Sequence, residues 1–143
     1  MRVPGTWEDG ASVISGFIKE QGLGSKLEIH DGSGLSMDNK VSPKVLTEVL
    51  LRAYYSPDFS YEFLSSLPVA GIDGTLKKKF RNSLIEGRVI AKTGYLSGVR
   101  ALSGYVYAKD GNILAFSFMS NGLGKEIKEF QKRFLVELLD CCS

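Results

Sequence analysis

The chain has 143 residues, of which 43% are hydrophobic and 24% charged, and it carries a formal net charge of +2. These values are ordinary for one globular domain or for part of a larger one. No apolar run is long enough to span a membrane. The basic run at residues 77–81 lacks the broad stripe with interleaved aromatics that nucleic-acid binding needs, and it is interpreted as a solvated helix face.

Cysteine and histidine give little support for a metal or a thiol site. Cys141 and Cys142 are adjacent, adjacent cysteines rarely form a disulfide with each other, and no Cys/His pair has zinc-ligand spacing. His30 is the only histidine, so a histidine-dependent nucleophile would have to use it; packing is the expected role. Residues 1–5 lack the apolar stretch of a signal peptide, which taken alone favours the cytoplasm.

A helix is predicted over residues 6–21. Thr6 is a suitable N-cap, and Gly22 and Gly24 are expected to end the helix. The stripe expected to face inward consists of Val13, Ile14, Phe17 and Ile18. A short strand at residues 27–30 is predicted to lead into a turn at residues 31–34.

The second predicted helix has the clearest start signal. Ser42 is a plausible N-cap, Pro43 occupies the first helical position, and Ser56-Pro57 ends the helix. Its apolar face comprises Val45, Leu46, Val49, Leu50, Ala53 and Tyr54. A short helix over residues 61–67 and a third helical piece over residues 75–84 are expected to follow.

The pattern then changes to strands, predicted at residues 87–92, 99–108 and 113–120. The Asp110-Gly111 pair supplies the positive φ of a hairpin turn between the last two strands. The third strand is apolar on both faces, which predicts helices on both sides of the sheet. The final helix, at residues 125–139, is expected to turn inward Ile127, Phe130, Phe134, Leu135 and Leu138. The fold class is therefore α+β, with a C-terminal antiparallel meander flanked by helices.

The tripeptide Lys92-Thr93-Gly94 lies at the end of the first predicted strand. An ammonium and a hydroxyl on an exposed strand edge can hold a carboxylate, and glycine lets a ligand backbone lie flat. An extended peptide can then pair with the edge by strand addition. Lys-Thr-Gly is one element of the penicillin-binding set. Taken alone, the tripeptide is more often a strand-end turn with a solvated lysine than a binding site.

Further strings in the same order strengthen the signal, and together they resemble the S13 D-alanyl-D-alanine carboxypeptidases. The strings lie at residues 31–36 (DGSGLS), 66–76 (SLPVAGIDGTL), 91–99 (AKTGYLSGV) and 102–106 (LSGYV). The resemblance implies a penicillin-binding/beta-lactamase-like transpeptidase fold, of which residues 1–143 would be the C-terminal portion.

The resemblance also implies roles for individual residues. Lys92 and Thr93 would bind the carboxylate of a terminal D-alanine or of a beta-lactam, and Gly94 would keep the strand edge open. The backbone N–H of Tyr95 would be one of two oxyanion-hole donors. Tyrosine stands where the family often has a smaller residue. The pocket for the stem-peptide side chain would be lined by Leu96, Ser97 and Leu35.

The reaction implied is attack by a serine on the terminal D-Ala-D-Ala bond of peptidoglycan stem peptides, with endopeptidase activity on cross-links. Beta-lactams would trap the acyl-enzyme, and no metal or organic cofactor would take part. The implied location is the periplasm or cell envelope, outside the cytoplasmic membrane.

The sequence departs from the family pattern in two ways. No serine is followed three residues later by lysine, and no Ser-x-Asn occurs, so the nucleophile, its lysine and the relay serine are absent. Thr75 and Lys78 have the first spacing, in a string with no known catalytic role. Met37 stands where many members have an arginine suited to a substrate carboxylate, which leaves Arg100 or Lys40 as substitutes.

Three hypotheses therefore stay open. In the first, the chain contributes the substrate-binding half of a serine carboxypeptidase whose other part lies upstream. In the second, it is a non-catalytic module that binds peptidoglycan peptides or a partner protein. In the third, it is a structural fragment that dimerises through a sheet edge. An upstream reading frame encoding Ser-x-x-Lys and Ser-x-Asn would support the first hypothesis, and a stop codon there would favour the second.

Overall fold

A computed structural model of the chain describes residues 5–23, 27–122, 124 and 126–141. The helices are α1 (Trp7–Glu20), α2 (Pro43–Tyr55), α3 (Ser60–Ser65) and α4 (Glu126–Leu139). The strands are β1 (Val89–Leu96), β2 (Val99–Tyr107) and β3 (Ile113–Asn121). The α+β prediction is confirmed. The predictions made for Gly24, Lys125 and Cys142 fall outside the described residues.

The three strands form one antiparallel sheet in the order β1-β2-β3, which is the predicted meander. In β1 and β2, Lys92 lies opposite Ser103 and Tyr95 lies opposite Arg100. The β2–β3 register is equally regular from Val99 to Tyr107. An unbroken register means that the direction of each residue's side chain and backbone groups follows from simple alternation along the strand.

Helices cover both faces of the sheet, as the two-sided apolar pattern of β3 predicts. One face packs against α4 through a cluster that includes Val89, Ala91, Leu102, Val106, Phe116, Leu135 and Leu139. The opposite face packs against α2 and α3 through Ile90, Tyr105 and Leu50. The buried Tyr105 hydroxyl donates to the carbonyl oxygen of Leu50 at 2.6 Å, so α2 is tied to the middle of the sheet by a hydrogen bond as well as by apolar contact.

The predicted helix caps are present, but two apolar stripes are narrower than expected. Thr6 forms a capping box with Asp9, and the side chain of Ser42 caps α2. In α1, Ile14 and Ile18 pack inward, whereas the stripe's other members, Val13 and Phe17, are exposed. In α4, Phe130 is also exposed, although its ring lies near Phe118. Adjacent helical positions diverge by about 100°, so a helix that contacts its neighbour along a narrow line buries only part of a wide stripe.

The helix predicted over residues 75–84 is wrong. Only a 3₁₀ turn from Gly74 to Leu76 forms, and Phe80 and Asn82 adopt left-handed backbone conformations with φ of 63° and 55°. The side chains of Leu76, Phe80 and Ile85 all contact the α4-side core. A straight helix could not direct all three of these side chains to one surface. The basic run is therefore on a turn-rich loop. The strand predicted at residues 27–30 is reduced to one bridge, between Glu28 and Lys40.

Strand β1 is longer than predicted, so the tripeptide does not lie where the prediction placed it. The strand extends from Val89 to Leu96, so Lys92-Thr93-Gly94 lies within it and not at its end. Pairing with β2 continues to the turn between Leu96 and Val99. The tripeptide therefore stands on a rigid element.

Substituting Gly104 with alanine tests the packing of this sheet. A Cβ at Gly104 would overlap the Ile90 carbonyl oxygen and lie 2.6 Å from the Ala91 Cα, so β1 and β2 would have to separate. Because overpacking costs about 1–3 kcal/mol or more, we expect Gly104→Ala to lower the free energy of unfolding by at least that range in urea denaturation. Gly16→Ala is the control: it lies in α1 with nothing near its Cβ, and we expect a gain of roughly 0.5–1 kcal/mol. Equal stability of Gly104→Ala and wild type would contradict the tight β1–β2 approach.

Candidate active site

The outer edge of β1 is closed along its first half. The segment around Val69 pairs with Ile90 in an antiparallel bridge. The Ala91 N–H donates to the Pro68 carbonyl at 2.9 Å, and the Ala70 N–H donates to the Val89 carbonyl at 2.8 Å. These bonds show that odd-numbered residues of β1 direct their backbone groups away from β2.

The second half of the same edge is open. By alternation, Thr93 and Tyr95 also direct their N–H and C=O groups outward, while Lys92 and Gly94 pair with β2. Within the residues that the structure describes, the outward N–H groups of Thr93 and Tyr95 have no backbone partner. An open row of this kind can accept an extended peptide as an additional strand.

Polar side chains begin where the edge opens. The exposed Lys92 ammonium donates to the Thr93 carbonyl oxygen at 2.8 Å. The Thr93 hydroxyl donates to the Thr75 hydroxyl oxygen at 3.2 Å. Thr75 follows a turn that Asp73 holds by accepting the Val69 N–H at 2.6 Å. No role was predicted for Thr75, and only its place in the string at residues 66–76 could have drawn attention to it.

The far end of the open edge is an aromatic–guanidinium stack. The Tyr95 ring is 68% exposed, and the Arg100 Cζ lies 3.6 Å from its centroid. Arg100 Nη1 also donates to the carbonyl oxygens of Leu96 and Val99, at 3.2 Å each. The side chain of Arg100 is therefore fixed from two directions at the β1–β2 turn, next to Ser97.

The site is electrostatically positive. Partial burial lowers the pKa of Lys79, and the charges of Lys128, Arg100 and Lys92 lower it further. Among the residues with described positions, the ion pairs join Lys40 to Glu28, Lys44 to Glu48 and Lys109 to Asp140, so none neutralises this group. A region with several cations outside these ion pairs favours an anionic ligand.

Leu35 lies on a loop stabilised by one carboxylate. Asp31 accepts hydrogen bonds from the backbone N–H groups of Gly34, Leu35 and Ser36 and from the side chains of Ser33 and Asn39. The Leu35 side chain is 70% exposed and belongs to none of the hydrophobic clusters. The structure thus brings Lys92, Thr93, Gly94, Tyr95, Leu96 and Ser97 together, and it places Leu35 on a separate loop.

The only histidine is not the packing residue that was expected. His30 is exposed and lines a cleft of about 280 Å³ with Glu8, Ser12 and Ser15 of α1. Within the described ranges, no group of three or more His, Cys, Asp or Glu side chains could hold a metal ion. Over the same residues, no helix combines the length and the apolar character required to cross a bilayer.

Lys-Thr-Gly, here on the open edge of an antiparallel sheet, is one of the motifs of the penicillin-binding proteins and class A beta-lactamases. The sequence matches the D-Ala-D-Ala carboxypeptidase 3 (S13) family over residues 1–141. The chain belongs to that family, so the resemblance drawn from the four sequence strings is confirmed.

Relatives of known name agree with this assignment. The chain is 40% identical over 124 residues to the D-alanyl-D-alanine carboxypeptidase of Actinomadura sp. (strain R39), an alignment covering 82% of this chain and 23% of that protein. It is 34% identical over 125 residues to the D-alanyl-D-alanine carboxypeptidase DacB of Haemophilus influenzae, covering 83% of this chain and 25% of that protein.

A solved structure shows the same fold. The crystal structure of penicillin binding protein 4 from Haemophilus influenzae superposes with a TM-score of 0.85 and 28% identity, covering 95% of this chain and 33% of that chain. The chain therefore spans about a quarter to a third of the length of these relatives.

The Asp31 loop gives a pH-dependent prediction. Hydrogen bonds from Ser33 and Asn39, with those from the loop N–H groups, hold the pKa of the Asp31 carboxyl below its ordinary value of 3.8. Because the folded pKa is depressed, the loop's stabilisation is fully present above about pH 4 and is lost as the pH falls through the folded value. We expect Leu35 and Ser36 amide resonances to be constant from pH 7 to 4 and to shift only in stronger acid.

Asp31→Asn should give the altered Leu35 and Ser36 amide signals at pH 7. The control is Asp38→Asn, which makes the same change in the same loop at a side chain that accepts none of these bonds. Unchanged amide signals in Asp31→Asn would contradict the role given to this carboxylate.

Proposed function

We propose that this chain supplies the substrate-binding half of a serine-type D-Ala-D-Ala carboxypeptidase site that acts on peptidoglycan stem peptides. The observation that carries the proposal is the edge of β1, which is closed up to Ala91 and open from Thr93 onward. The family and the named relatives support the reaction class. By the order of its motifs, the chain corresponds to the C-terminal portion of a larger penicillin-binding domain.

The substrate adds to β1 as an antiparallel strand in this proposal. Its C-terminus then lies near the start of the open edge, beside Lys92 and Thr93. The Lys92 ammonium exchanges its bond to the Thr93 carbonyl for one to the terminal carboxylate, a stronger charge-assisted bond. The Thr93 hydroxyl, positioned by Thr75, supplies a second bond to the same carboxylate.

In this proposal a backbone group stabilises the negative charge that develops during the reaction. The outward N–H of Tyr95 is aimed where a substrate carbonyl oxygen would become an oxyanion, and it serves as one of two donors. Gly94 leaves the approach to this N–H free of a side chain. Leu96 and Ser97, with Leu35 from its own loop, line the pocket for the stem-peptide side chain.

The nucleophile comes from elsewhere in this proposal. The sequence holds no Ser-x-x-Lys and no Ser-x-Asn, so the missing N-terminal part of the same enzyme supplies the attacking serine, its lysine and the relay serine. Endopeptidase activity on cross-links would use the same edge. The site would act in the periplasm or cell envelope, where peptidoglycan lies.

Beta-lactams are proposed as inhibitors at the same edge. Penicillin binding protein 4 of Haemophilus influenzae, which shares this fold with a TM-score of 0.83, has been crystallised in complex with a beta-lactam. A beta-lactam carboxylate would occupy the position of the terminal D-alanine carboxylate, beside Lys92 and Thr93.

A non-catalytic module that binds peptidoglycan peptides or a partner protein is the second candidate. The observation that favours it is an open strand edge that carries an exposed ammonium and a hydroxyl, in a sequence that holds no Ser-x-x-Lys. Both candidates predict peptide binding by the isolated chain; they differ in whether joining the upstream part of a relative restores hydrolysis.

Replacing Lys92 tests peptide binding. We expect a peptide ending in D-Ala-D-Ala to bind the isolated chain and shift the Thr93 and Tyr95 amide resonances, without release of D-alanine. Lys92→Met removes the charge-assisted bond, worth about 1.5–3 kcal/mol, and should weaken binding roughly tenfold or more. Lys109→Met, which changes a surface lysine on the β2–β3 turn, should bind as wild type does. Turnover by the isolated chain, or equal binding by Lys92→Met, would refute the proposal.

A labelled penicillin tests the assignment of the nucleophile. Because no serine here has the activating lysine, the intact mass of the isolated chain should not increase on incubation with the penicillin. The chain reconstituted with the upstream two-thirds of a relative should gain one covalent adduct, detected by intact-mass spectrometry. An adduct on the isolated chain would place a nucleophile within these residues. Reconstitution that yields a compact complex but no adduct would favour the binding module.

A further inference from the structure

The hydroxyl of Thr93 has already used its only proton. It donates to the Thr75 hydroxyl oxygen at 3.2 Å. A hydroxyl has one O–H donor and two acceptor lone pairs, whereas an ionised carboxylate only accepts hydrogen bonds. Thr93 therefore cannot donate to a carboxylate while its proton points at Thr75, and the bond between the two threonines has to change when a carboxylate binds.

The Thr75 hydroxyl is able to take over as donor. Among the residues that the structure describes, its own proton has no acceptor, because its one side-chain hydrogen bond is the one that it accepts from Thr93. At 3.2 Å that bond is longer than the usual 2.5–3.0 Å between hydroxyls, so it is weak and easily exchanged. If Thr75 turns its O–H toward the Thr93 oxygen, the Thr93 proton is released. A hydroxyl that accepts one hydrogen bond also donates a stronger one, because bonds in a chain polarise one another.

The backbone keeps Thr75 beside β1 independently of this bond. Thr75 is the middle residue of the 3₁₀ turn Gly74–Leu76. Leu76, the next residue, is fully buried, and its carbonyl oxygen accepts the Gly71 N–H at 3.1 Å. On the other side, a Cβ at Gly74 would lie 2.9 Å from the Pro68 side chain. The distance between the two threonines is therefore set by the packing of the turn, and rotation of the hydroxyls is the freedom that remains.

We propose that Thr75 is a positioning residue that acts through Thr93. It accepts the Thr93 proton before a peptide binds, and it donates to the Thr93 oxygen once the terminal carboxylate is present. Each proton stays on its own oxygen, and only the directions of the two O–H bonds change. The proposal rests on the proposed function, because it requires the carboxylate to bind beside Lys92 and Thr93.

A double-mutant cycle on the full chain tests whether Thr75 acts through Thr93. The variants are Thr75→Val, Thr93→Val and the two combined, and the ligand is a peptide ending in D-Ala-D-Ala. Dissociation constants are measured by NMR titration of the Tyr95 amide. Thr47→Val is the control: it removes a threonine hydroxyl of α2 that donates to the Pro43 carbonyl oxygen at 3.0 Å.

Thr75→Val should weaken peptide binding about two- to tenfold in the wild-type background, the range expected for one hydrogen bond. In the Thr93→Val background the same change should have no effect, because no hydroxyl is left to receive the bond. A merely structural role would weaken binding equally in both backgrounds. Thr75→Ser, which keeps the hydroxyl, should bind as wild type does, and so should Thr47→Val.

A further variant protects the test against a folding defect. Thr75→Ala removes the same hydroxyl without adding a second branch methyl, and it should match Thr75→Val. Wild-type affinity in both variants, or equal weakening with and without the Thr93 hydroxyl, overturns the role of Thr75, while binding that depends on Lys92 still supports the proposed function. No binding of the peptide, or binding that ignores Lys92→Met, overturns both.

Discussion

The site depends on one constraint in the pairing of β1. The strand is paired on both sides as far as Ala91 and on only one side from Thr93 onward. The bridge between Val69 and Ile90 sets an antiparallel register in which the residue facing Thr93 would be Ser66. Ser66 is instead the C-cap of α3, and its N–H bonds back into that helix. The end of α3 therefore determines where the edge opens, immediately beside the Lys92 ammonium and the Thr93 hydroxyl.

The rest of the sheet keeps this edge rigid. Gly104 lets β1 and β2 approach so closely that a single Cβ would meet backbone atoms of Ile90 and Ala91. Tyr105, the next residue, is 1% exposed and its hydroxyl donates to α2. Burial raises the pKa of this hydroxyl to about 12, which favours the protonated donor form. A binding group on a strand supported from both faces is positioned more accurately than one on a loop. The position of Lys92 within the strand, and not at its end, follows from this support.

Local patterns in the sequence were sufficient where one signal determined the outcome. Ser42 with Pro43 located the start of α2, and the two-sided apolar pattern around Phe116 indicated a sheet covered on both faces. The segment after Leu76 was mispredicted because its conformation is set by tertiary packing: Phe80 reaches the core only by a left-handed turn that helix propensity opposes. The contact between Thr75 and Thr93 joins residues far apart in sequence, so no pattern of spacing could have revealed it. Whether Leu35 serves the same site stays a prediction.

The backbone and the side chain of Tyr95 face different surroundings. Its backbone N–H faces the open edge whatever side chain it carries, so the proposed oxyanion contact depends on strand register alone. Its ring projects to the α4-side face and provides the surface on which Arg100 rests. The proposed contact of the backbone N–H and the stacking of the ring are therefore independent of each other at this position.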